Sequence, residues 1–189
     1  MSTTESPTTS FTRMDESTAE QWAVIGHETL ANQPRVGDQF MAMLRQLADI
    51  TDGFSTDQLT HCLQTATLAE RAGADDEVVF ASLCHDIGKV ISVFNHPAIA
   101  AEMIRPWVSD EVYWVVKVHQ DFEGLHYYAR VGLDPMMRNK HLGHPHFALA
   151  EQFADEWDQN AFDPDGPMKP LEHFEPMVRE VFSRPPRRG

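Results

Sequence analysis

The chain has 189 residues, 42% of them hydrophobic and 23% charged, which is the size and composition of one soluble globular domain. Its 29 acidic and 15 basic residues give a net charge of −14, which disfavours nucleic acid as a partner because the phosphate backbone is also negative. We expect no membrane span or secretory signal, since no apolar run is long enough. Two cysteines supply no disulfide framework, so a cytoplasmic location is predicted.

Hydrophobic residues at helical spacing dominate the chain from residue 16 onward. The Ser/Thr-rich residues 1–15 are predicted to be disordered and the Pro/Arg-rich residues 183–189 to form a loose tail, which leaves one domain over residues 16–182. The predicted helices are, in chain order, 16–32, 38–50, 57–72, 75–87, 97–104, 110–119, 146–157 and 174–182. Valine pairs are the strand-like feature, and they fall inside helical patterns. The sequence therefore predicts an all-α domain.

The clearest chemical motif is His85-Asp86, near the end of a predicted helix within Ala81–Lys89. An adjacent imidazole and carboxylate can bind one metal ion. His61 lies 24 residues earlier, which is enough chain for one helix, a turn and an antiparallel return. Facing helices of a bundle build metal sites from side chains placed in this way.

Together these residues resemble the HD-domain superfamily of metal-dependent phosphohydrolases and oxygenases, which bind a metal ion through a His…His-Asp…Asp set. Subgroups with two additional histidines hold a second ion. The resemblance implies a single HD-domain helical bundle with a dinuclear metal site in its core, bridged by Asp86. The ligands that it implies are His61, His85, Asp86, His96, His119 and Asp158. Mixed imidazole and carboxylate ligation suits iron or manganese, and zinc stays open.

The closing carboxylate of this set is assigned within Phe153–Asp158, which resembles the late helix of the family. Asp158 is the first choice and Asp155 the second. Residues three apart on a helix lie on nearly the same face, so both carboxylates are expected to point the same way.

Other residues near the ligands receive different interpretations. Cys62 and Cys84 each adjoin a ligand, but neighbouring residues on a helix face different ways, so both are predicted to be small buried apolar residues. A local histidine cluster follows at His141, His144 and His146. It is interpreted as a solvated, substrate-facing or lid segment and is left out of the ligand set.

Within the superfamily the chain resembles the small mixed-valence di-iron oxygenases, which include inositol oxygenase and the phosphonate-cleaving oxygenases. The resemblance covers residues 54–163 and is tightest at residues 58–75, at the His-Asp stretch and at residues 156–158. It implies two iron ions, O2 as a partner, and cleavage of a C–C or C–P bond beside a hydroxyl group. Lys89 matches the position at which inositol oxygenase holds its substrate, so Lys89 and Asp86 are the predicted catalytic residues.

The residues expected to contact the substrate differ from those of the aminophosphonate oxygenases. Where those enzymes carry an acidic residue and a tyrosine before the first histidine ligand, this chain has Phe54 and Thr51, and where they carry a lysine for the phosphonate it has Glu123. Aromatic residues nearby suit an apolar or quaternary-ammonium group of a small substrate. These residues are Phe54, Phe122, Tyr127 and Tyr128, and we expect Phe54, Phe122 and Lys89 to contact the substrate.

Two alternative functions would use the same ligands. A phosphohydrolase would direct a metal-bound hydroxide at phosphorus, and the basic residues available near the site for its substrate are few. They are Lys89, Lys117, Arg130, Arg138 and Lys140. A catalytically silent domain that only binds or senses a ligand is the third possibility, and the complete set of six ligands argues against it.

Overall fold

The computed structural model describes residues 8–187, and within that range the backbone forms helices and turns but no β-strand. The α-helices are α1 (Ala19–Ala31), α2 (Arg35–Gln46), α3 (Gln58–Arg71), α4 (Asp76–Cys84), α5 (His96–Ile104), α6 (Asp110–Tyr127), α7 (Phe147–Gln152) and α8 (Leu171–Ser183). The predicted all-α architecture is confirmed. None of the described helices is both long and apolar enough to cross a membrane.

The two terminal segments are described only in part. Residues 1–7 of the predicted disordered lead-in and residues 188–189 of the predicted tail lie outside the described residues. Further along the lead-in, a 3-10 turn covers Met14–Glu16 and the ring of Phe11 packs against that of Trp22. In the tail, the guanidinium of Arg187 lies 3.0 Å from the carboxylate of Glu77. The predicted domain limits stay predictions.

Local sequence signals explain where the helices that carry the site begin and end. The carboxylate of Asp57 caps α3 by accepting a hydrogen bond from the backbone of Thr60 at 2.8 Å. Gly73 follows the end of α3 with φ +78°, in the left-handed region that favours glycine. The hydroxyl of Ser109 caps α6 through the backbone of Val112. These caps match the boundaries predicted from the sequence at both helix starts.

The core lies between pairs of packed helices. Helix α3 packs against α4, α5 against α6, and α2 against α8. Large fully buried side chains such as Met41, Phe80 and Phe174 fill the space between them. Helix α8 is longer than the short helix predicted at residues 174–182, because it begins directly after Pro170 and buries Leu171 in its first turn. Burial of its apolar face stabilises the bundle.

The region after α7 is not a regular α-helix. The sequence predicts one helix over residues 146–157, but α7 ends at Gln152 and the chain widens into a π-helical turn over Phe153–Trp157. Such turns are rare and often occur at functional sites. Because the turn changes the angular spacing of its residues, Asp155 and Asp158 point in different directions.

A close approach between backbones fixes the position of the first residue of α5. The 3-10 turn Ile87–Val90 packs against α5, and a Cβ on Gly88 would lie 2.3 Å from the carbonyl oxygen of His96. Only glycine allows this approach without displacement of one of the two segments. The contact holds His96 beside the segment that carries Asp86.

Candidate metal centre

Six buried imidazoles and carboxylates meet in the middle of the helical bundle. Helix α3 supplies His61, the residues directly after α4 supply His85 and Asp86, α5 and α6 supply one histidine each, and the end of the π-helical turn supplies the last carboxylate. No member of the set is more than 4% exposed. The members are His61, His85, Asp86, His96, His119 and Asp158, so the structure brings together every ligand that the resemblance implied.

The orientation of each imidazole is set by the backbone. The Nδ1 atom of every histidine in the set lies 2.7–3.0 Å from a carbonyl oxygen. The carbonyls belong to Ala161 for His61, Ser82 for His85, Val93 for His96 and Val116 for His119. Because a carbonyl can only accept, Nδ1 carries the hydrogen and the Nε2 of the neutral ring is left with a lone pair. This is the usual support of a metal-binding histidine.

Four of the ligand atoms form a first group. The Nε2 atoms of His61 and His85 lie 3.0 Å apart, and Asp158 Oδ1 lies 3.0 Å and 3.3 Å from them. Asp86 Oδ2 completes the group at 3.5 Å and 3.6 Å from the same two nitrogens. Ligand atoms bound about 2.1 Å from one ion are separated by about 3.0–3.4 Å. The group therefore has the dimensions of a metal-binding site.

Three ligand atoms form a second group on the other side of the same carboxylate. Asp86 Oδ1 lies 3.0 Å from the Nε2 of His96 and 3.5 Å from the Nε2 of His119, and these two nitrogens are 3.3 Å apart. Each oxygen of Asp86 thus faces its own group. The second group offers three protein atoms against four in the first, the arrangement that leaves room for a water or substrate on a metal ion.

The electrostatics of the cluster call for a cation. Both oxygens of Asp158 and the Oδ1 of Asp86 are buried without a hydrogen-bond partner among the described residues. Burial alone would lower the pKa of His85, but the carboxylates of Asp86 and Asp158 raise it to about 9. Burial opposes ionisation of Asp86, yet His85 and Lys89 hold its pKa well below the usual range. Buried acceptors of this kind are costly unless they share a positive charge, so the donor set fits a metal ion.

Comparison with protein families identifies the chain. The HD-domain model matches residues 59–159, which is 101 of the 189 residues and includes all six clustered ligands. The chain belongs to the HD-domain family. A search of curated proteins found no match. HD domains are a family of metal-dependent enzymes, and the buried His/Asp groups of this chain fit metal binding.

A cavity of about 570 Å³ opens onto one side of the HD-domain metal centre. Three of the ligands reach it, namely His61, Asp86 and His96, while the other three lie deeper. The remaining lining residues are Asp52, Phe54, Lys89, Val93, Gln120, Glu123, His126, Tyr127, Arg130, Gln159 and Phe162. The volume is in the usual range for a small-molecule site.

Lys89 joins the metal centre to this cavity. Its Nζ lies 2.6 Å from Asp86 Oδ2, donates a hydrogen bond to Gln58 at 2.8 Å, and sits 5.8 Å from the centre of the Phe54 ring. Burial lowers the pKa of Lys89, but the charge of Asp86 outweighs burial and raises it. The ammonium is therefore charged at neutral pH, and it lines the cavity. Its contact with a substrate stays a prediction.

Of the aromatic residues expected near the substrate, some line the cavity and others lie in the core. Phe54 and Tyr127 line the cavity, but Phe122 is fully buried and packs against Phe147 with ring centres 4.9 Å apart. Helix α6 turns Tyr127 toward the cavity and Phe122 toward α7. Phe122 is thus a core residue and does not join the substrate-facing set, and Tyr128 is also buried away from the cavity.

Asp155, the second choice for the closing carboxylate, has different partners from Asp158. The guanidinium of Arg138 lies 2.6 Å and 3.0 Å from its two oxygens, and His126 Nε2 lies 2.8 Å from one of them. Arg138 is 5% exposed and also donates to the carbonyl of Phe122. Asp155 therefore holds the segment that carries Arg138 and does not reach the metal centre.

Two residues that contact the site were not predicted from the sequence. Gln58, which fixes Lys89, stands one helical turn before His61, and that spacing was the available signal. Phe162 stacks on the His61 ring with centres 4.2 Å apart, and no periodicity marks it because it follows irregular turns. Neither residue was predicted to take part.

The cysteines and the second histidine cluster lie outside the site. Cys62 and Cys84 are fully buried, as predicted, and burial raises the pKa of both thiols. His144 stacks on Trp114 with ring centres 3.8 Å apart, and its neighbour His141 lies 2.9 Å from a carboxylate oxygen of Asp121. This cluster does not line the cavity of about 570 Å³.

Proposed function

We propose that this HD-domain protein is a di-iron oxygenase that uses O2 to cleave a C–C or C–P bond of a small hydroxylated substrate. The observation that supports it best is the position of Lys89, whose ammonium contacts the bridging carboxylate of Asp86 at 2.6 Å and also faces the cavity. A substrate that enters the cavity therefore meets a cation directly beside the carboxylate shared by the two ligand groups.

When bound, a pair of iron ions would supply a Lewis acid for a substrate hydroxyl and electrons for the reduction of O2. The chain's own residues prepare the site for that chemistry. The backbone carbonyls hold the four imidazoles by Nδ1, so that their Nε2 atoms face the ligand groups, and Asp86 spans the two groups. His96 and His119 leave the second group with three protein ligands, so this is the side on which the substrate hydroxyl would bind.

Lys89 is the substrate-holding residue in this proposal. An ammonium has three donors, and two of them are directed at Asp86 and Gln58, so the third is available to a hydroxyl or anionic group of the substrate. The rings of Phe54 and Phe162, whose centres are 5.0 Å apart, form an apolar wall of the cavity. That wall excludes water from the carbon to be oxidised.

Phosphoester hydrolysis is the second candidate, supported by Arg130. Together with Lys89 it gives the described lining two permanently cationic side chains, which could both contact a phosphate group. Against it, the same lining contains the carboxylates of Asp52 and Glu123, which would repel a phosphate. A phosphonate would meet the same repulsion, so the oxygenase stands first in the form that cleaves a C–C bond, with C–P cleavage second.

The test compares O2 uptake with anaerobic hydrolysis. Iron-loaded protein is offered small polyols and 1-hydroxyphosphonates, and O2 uptake and iron content are measured for wild type, Lys89→Ala and the control Lys117→Ala, an exposed lysine of α6 bonded to Tyr113. We expect Lys89→Ala to keep its iron and lose about 100-fold in uptake, the effect of one charged hydrogen bond. The control should match wild type.

Two results would overturn the oxygenase. One is turnover of phosphoesters by manganese-loaded protein under strict anaerobiosis, abolished in Asp86→Ala, which identifies a hydrolase. The other is the absence of O2 uptake by iron-loaded wild type with every one of these substrates. Unchanged O2 uptake in Lys89→Ala would overturn the substrate-holding role of Lys89. An iron spectrum with a mixed-valence signal from two irons per chain is the further expectation of the proposal.

A further inference from the structure

One partly buried carboxylate of the cavity, Glu123, has no partner among the residues that the structure describes. Glu123 stands on α6 one turn after His119, lines the cavity and is partly buried. Among residues 8–187, no side chain donates a hydrogen bond to it or forms an ion pair with it. Of the other carboxylates close by that are not ligands, Asp52 also lines the cavity but is exposed, and Asp155 is held by Arg138 and His126. Partly buried carboxylates are normally paired, so Glu123 is available to a ligand.

The surroundings make an unpaired carboxylate at this place costly. Burial raises the pKa of Glu123, and the charges of Asp158 and Asp86 raise it further, while Lys89 opposes them. Cations bound by Asp86 and Asp158 would offset the repulsion from these two groups, which leaves burial as the remaining cause of the raised pKa. A positively charged donor on the substrate would in turn favour the carboxylate form of Glu123. A carboxylate accepts hydrogen bonds and has no donor of its own.

The cavity therefore has two different polar ends. At the inner end, the ligands and Lys89 favour an oxygen of the substrate, as described above. Along α6, Glu123 lies four residues beyond the ligand His119, which is a rise of about 6 Å. The same cavity has an aromatic surface, formed by Phe54 and Phe162 stacked on each other. A substrate that fits both ends has an oxygen at one end and a donor at the other.

We propose that Glu123 is a specificity-determining residue that accepts a hydrogen bond from an N–H or O–H donor of the substrate while an oxygen of the same substrate is bound at the inner end. The inference rests on the proposed function only in placing the substrate in this cavity. The shared chemistry is a donor group, which can be a charged ammonium or a neutral hydroxyl.

The test uses three probes that differ at one terminal group. 1,2-Propanediol, glycerol and 3-amino-1,2-propanediol share a vicinal diol and end in a methyl, a hydroxyl and an ammonium group. Their affinities for manganese-loaded protein are measured anaerobically by calorimetry. The proteins are wild type, Glu123→Gln, which keeps an acceptor oxygen, Glu123→Leu, which removes it, and the control Glu111→Gln, an exposed carboxylate of the same helix.

We expect wild type and Glu111→Gln to bind a donor-bearing probe about tenfold more tightly than 1,2-propanediol, and Glu123→Leu to lose that preference. Glu123→Gln distinguishes a charged ammonium donor from a neutral hydroxyl donor. Loss of preference for 3-amino-1,2-propanediol alone identifies an ammonium, and retained preference identifies a neutral hydroxyl. Manganese content should be unchanged in both variants, because Glu123 is not in the ligand set.

Three results would overturn the inference. They are equal or undetectable binding of all three probes by wild type, an unchanged preference in Glu123→Leu, and loss of manganese in the Glu123 variants, which would make Glu123 a ligand. Binding is measured without O2 and without turnover. A failure of the oxygenase proposal in the O2-uptake test therefore leaves this result unaffected, and the reverse also holds.

Discussion

Replacing Gly88 with alanine tests how the second ligand group is positioned. The added Cβ would lie 2.3 Å from the carbonyl oxygen of His96 and 2.8 Å from its Cα. Carbon atoms in packed proteins prefer contacts of about 3.5 Å, so the backbone of His96 has to retreat by roughly 1 Å. Both contacts are with backbone, so rotation of a side chain cannot relieve them.

The size of that retreat sets the expected effect. Asp86 Oδ1 and His96 Nε2 are 3.0 Å apart, and an increase of about 1 Å takes them beyond the separation of two ligands on one ion. We expect the affinity of the second group for its metal ion to fall about 10- to 100-fold. Overpacking should also lower the free energy of unfolding by about 1–3 kcal/mol. The first group does not contain His96 and should keep its ion.

The assay is metal content per chain after dialysis against a weak chelator, together with urea unfolding. Gly26→Ala is the matched control, because a Cβ on this glycine of α1 would meet no atom within 4 Å. That variant should keep both ions and gain up to about 1 kcal/mol from helix propensity. Gly88→Ala protein with both sites fully occupied and an unchanged free energy of unfolding would refute the reasoning.

Two further predictions concern the ligands and the acid stability. Asp86→Ala should remove both metal ions and His96→Ala mainly one, since one oxygen of Asp86 faces each group; equal, undiminished metal content in both variants would contradict the bridging assignment. Burial raises the pKa of Asp155, but hydrogen bonds from Arg138 and His126 outweigh burial and lower it. The contribution of Asp155 to the free energy of unfolding is therefore present above its unfolded-state pKa near 3.9 and is lost as the pH falls through its lower folded-state pKa. Asp155→Asn should lower the free energy of unfolding at pH 6 by about 1 kcal/mol and weaken its decrease at acid pH, measured by urea unfolding. An unchanged decrease at acid pH would count against this pairing.

The ligands could be predicted because their residue types and their spacing along the chain resemble a known family pattern. His61 stands on α3, His85 and Asp86 directly follow α4, and the structure brings the three side chains together. The C-terminal end of α6 was harder to predict. Its predicted end at His119 marked the last ligand, whereas the helix continues to Tyr127 and so forms a wall of the cavity.

Features that depend on tertiary packing could not be predicted in the same way. Arg138 is charged, and charged residues are rarely buried, so nothing in the sequence pointed to its place beneath the cavity wall. Phe122 is an aromatic residue of the kind that could contact a substrate, but it lies in the core. Which of the two roles it takes depends on the rotation of α6 about its axis. Gly88 is an ordinary helix breaker in the sequence, and its contact with His96 appears only when α5 is in place.

The π-helical turn at Phe153–Trp157 makes the closing ligand sensitive to the number of residues as well as to their identity. Successive residues of an α-helix are rotated by about 100°, so deletion of one residue within the turn would restore a regular helix and swing Asp158 away from His61. A substitution scan of these five positions would miss this dependence. Among family members, a gain or loss of one residue here would move the last carboxylate to a different chain position, and alignments across this turn should be judged by geometry before sequence identity.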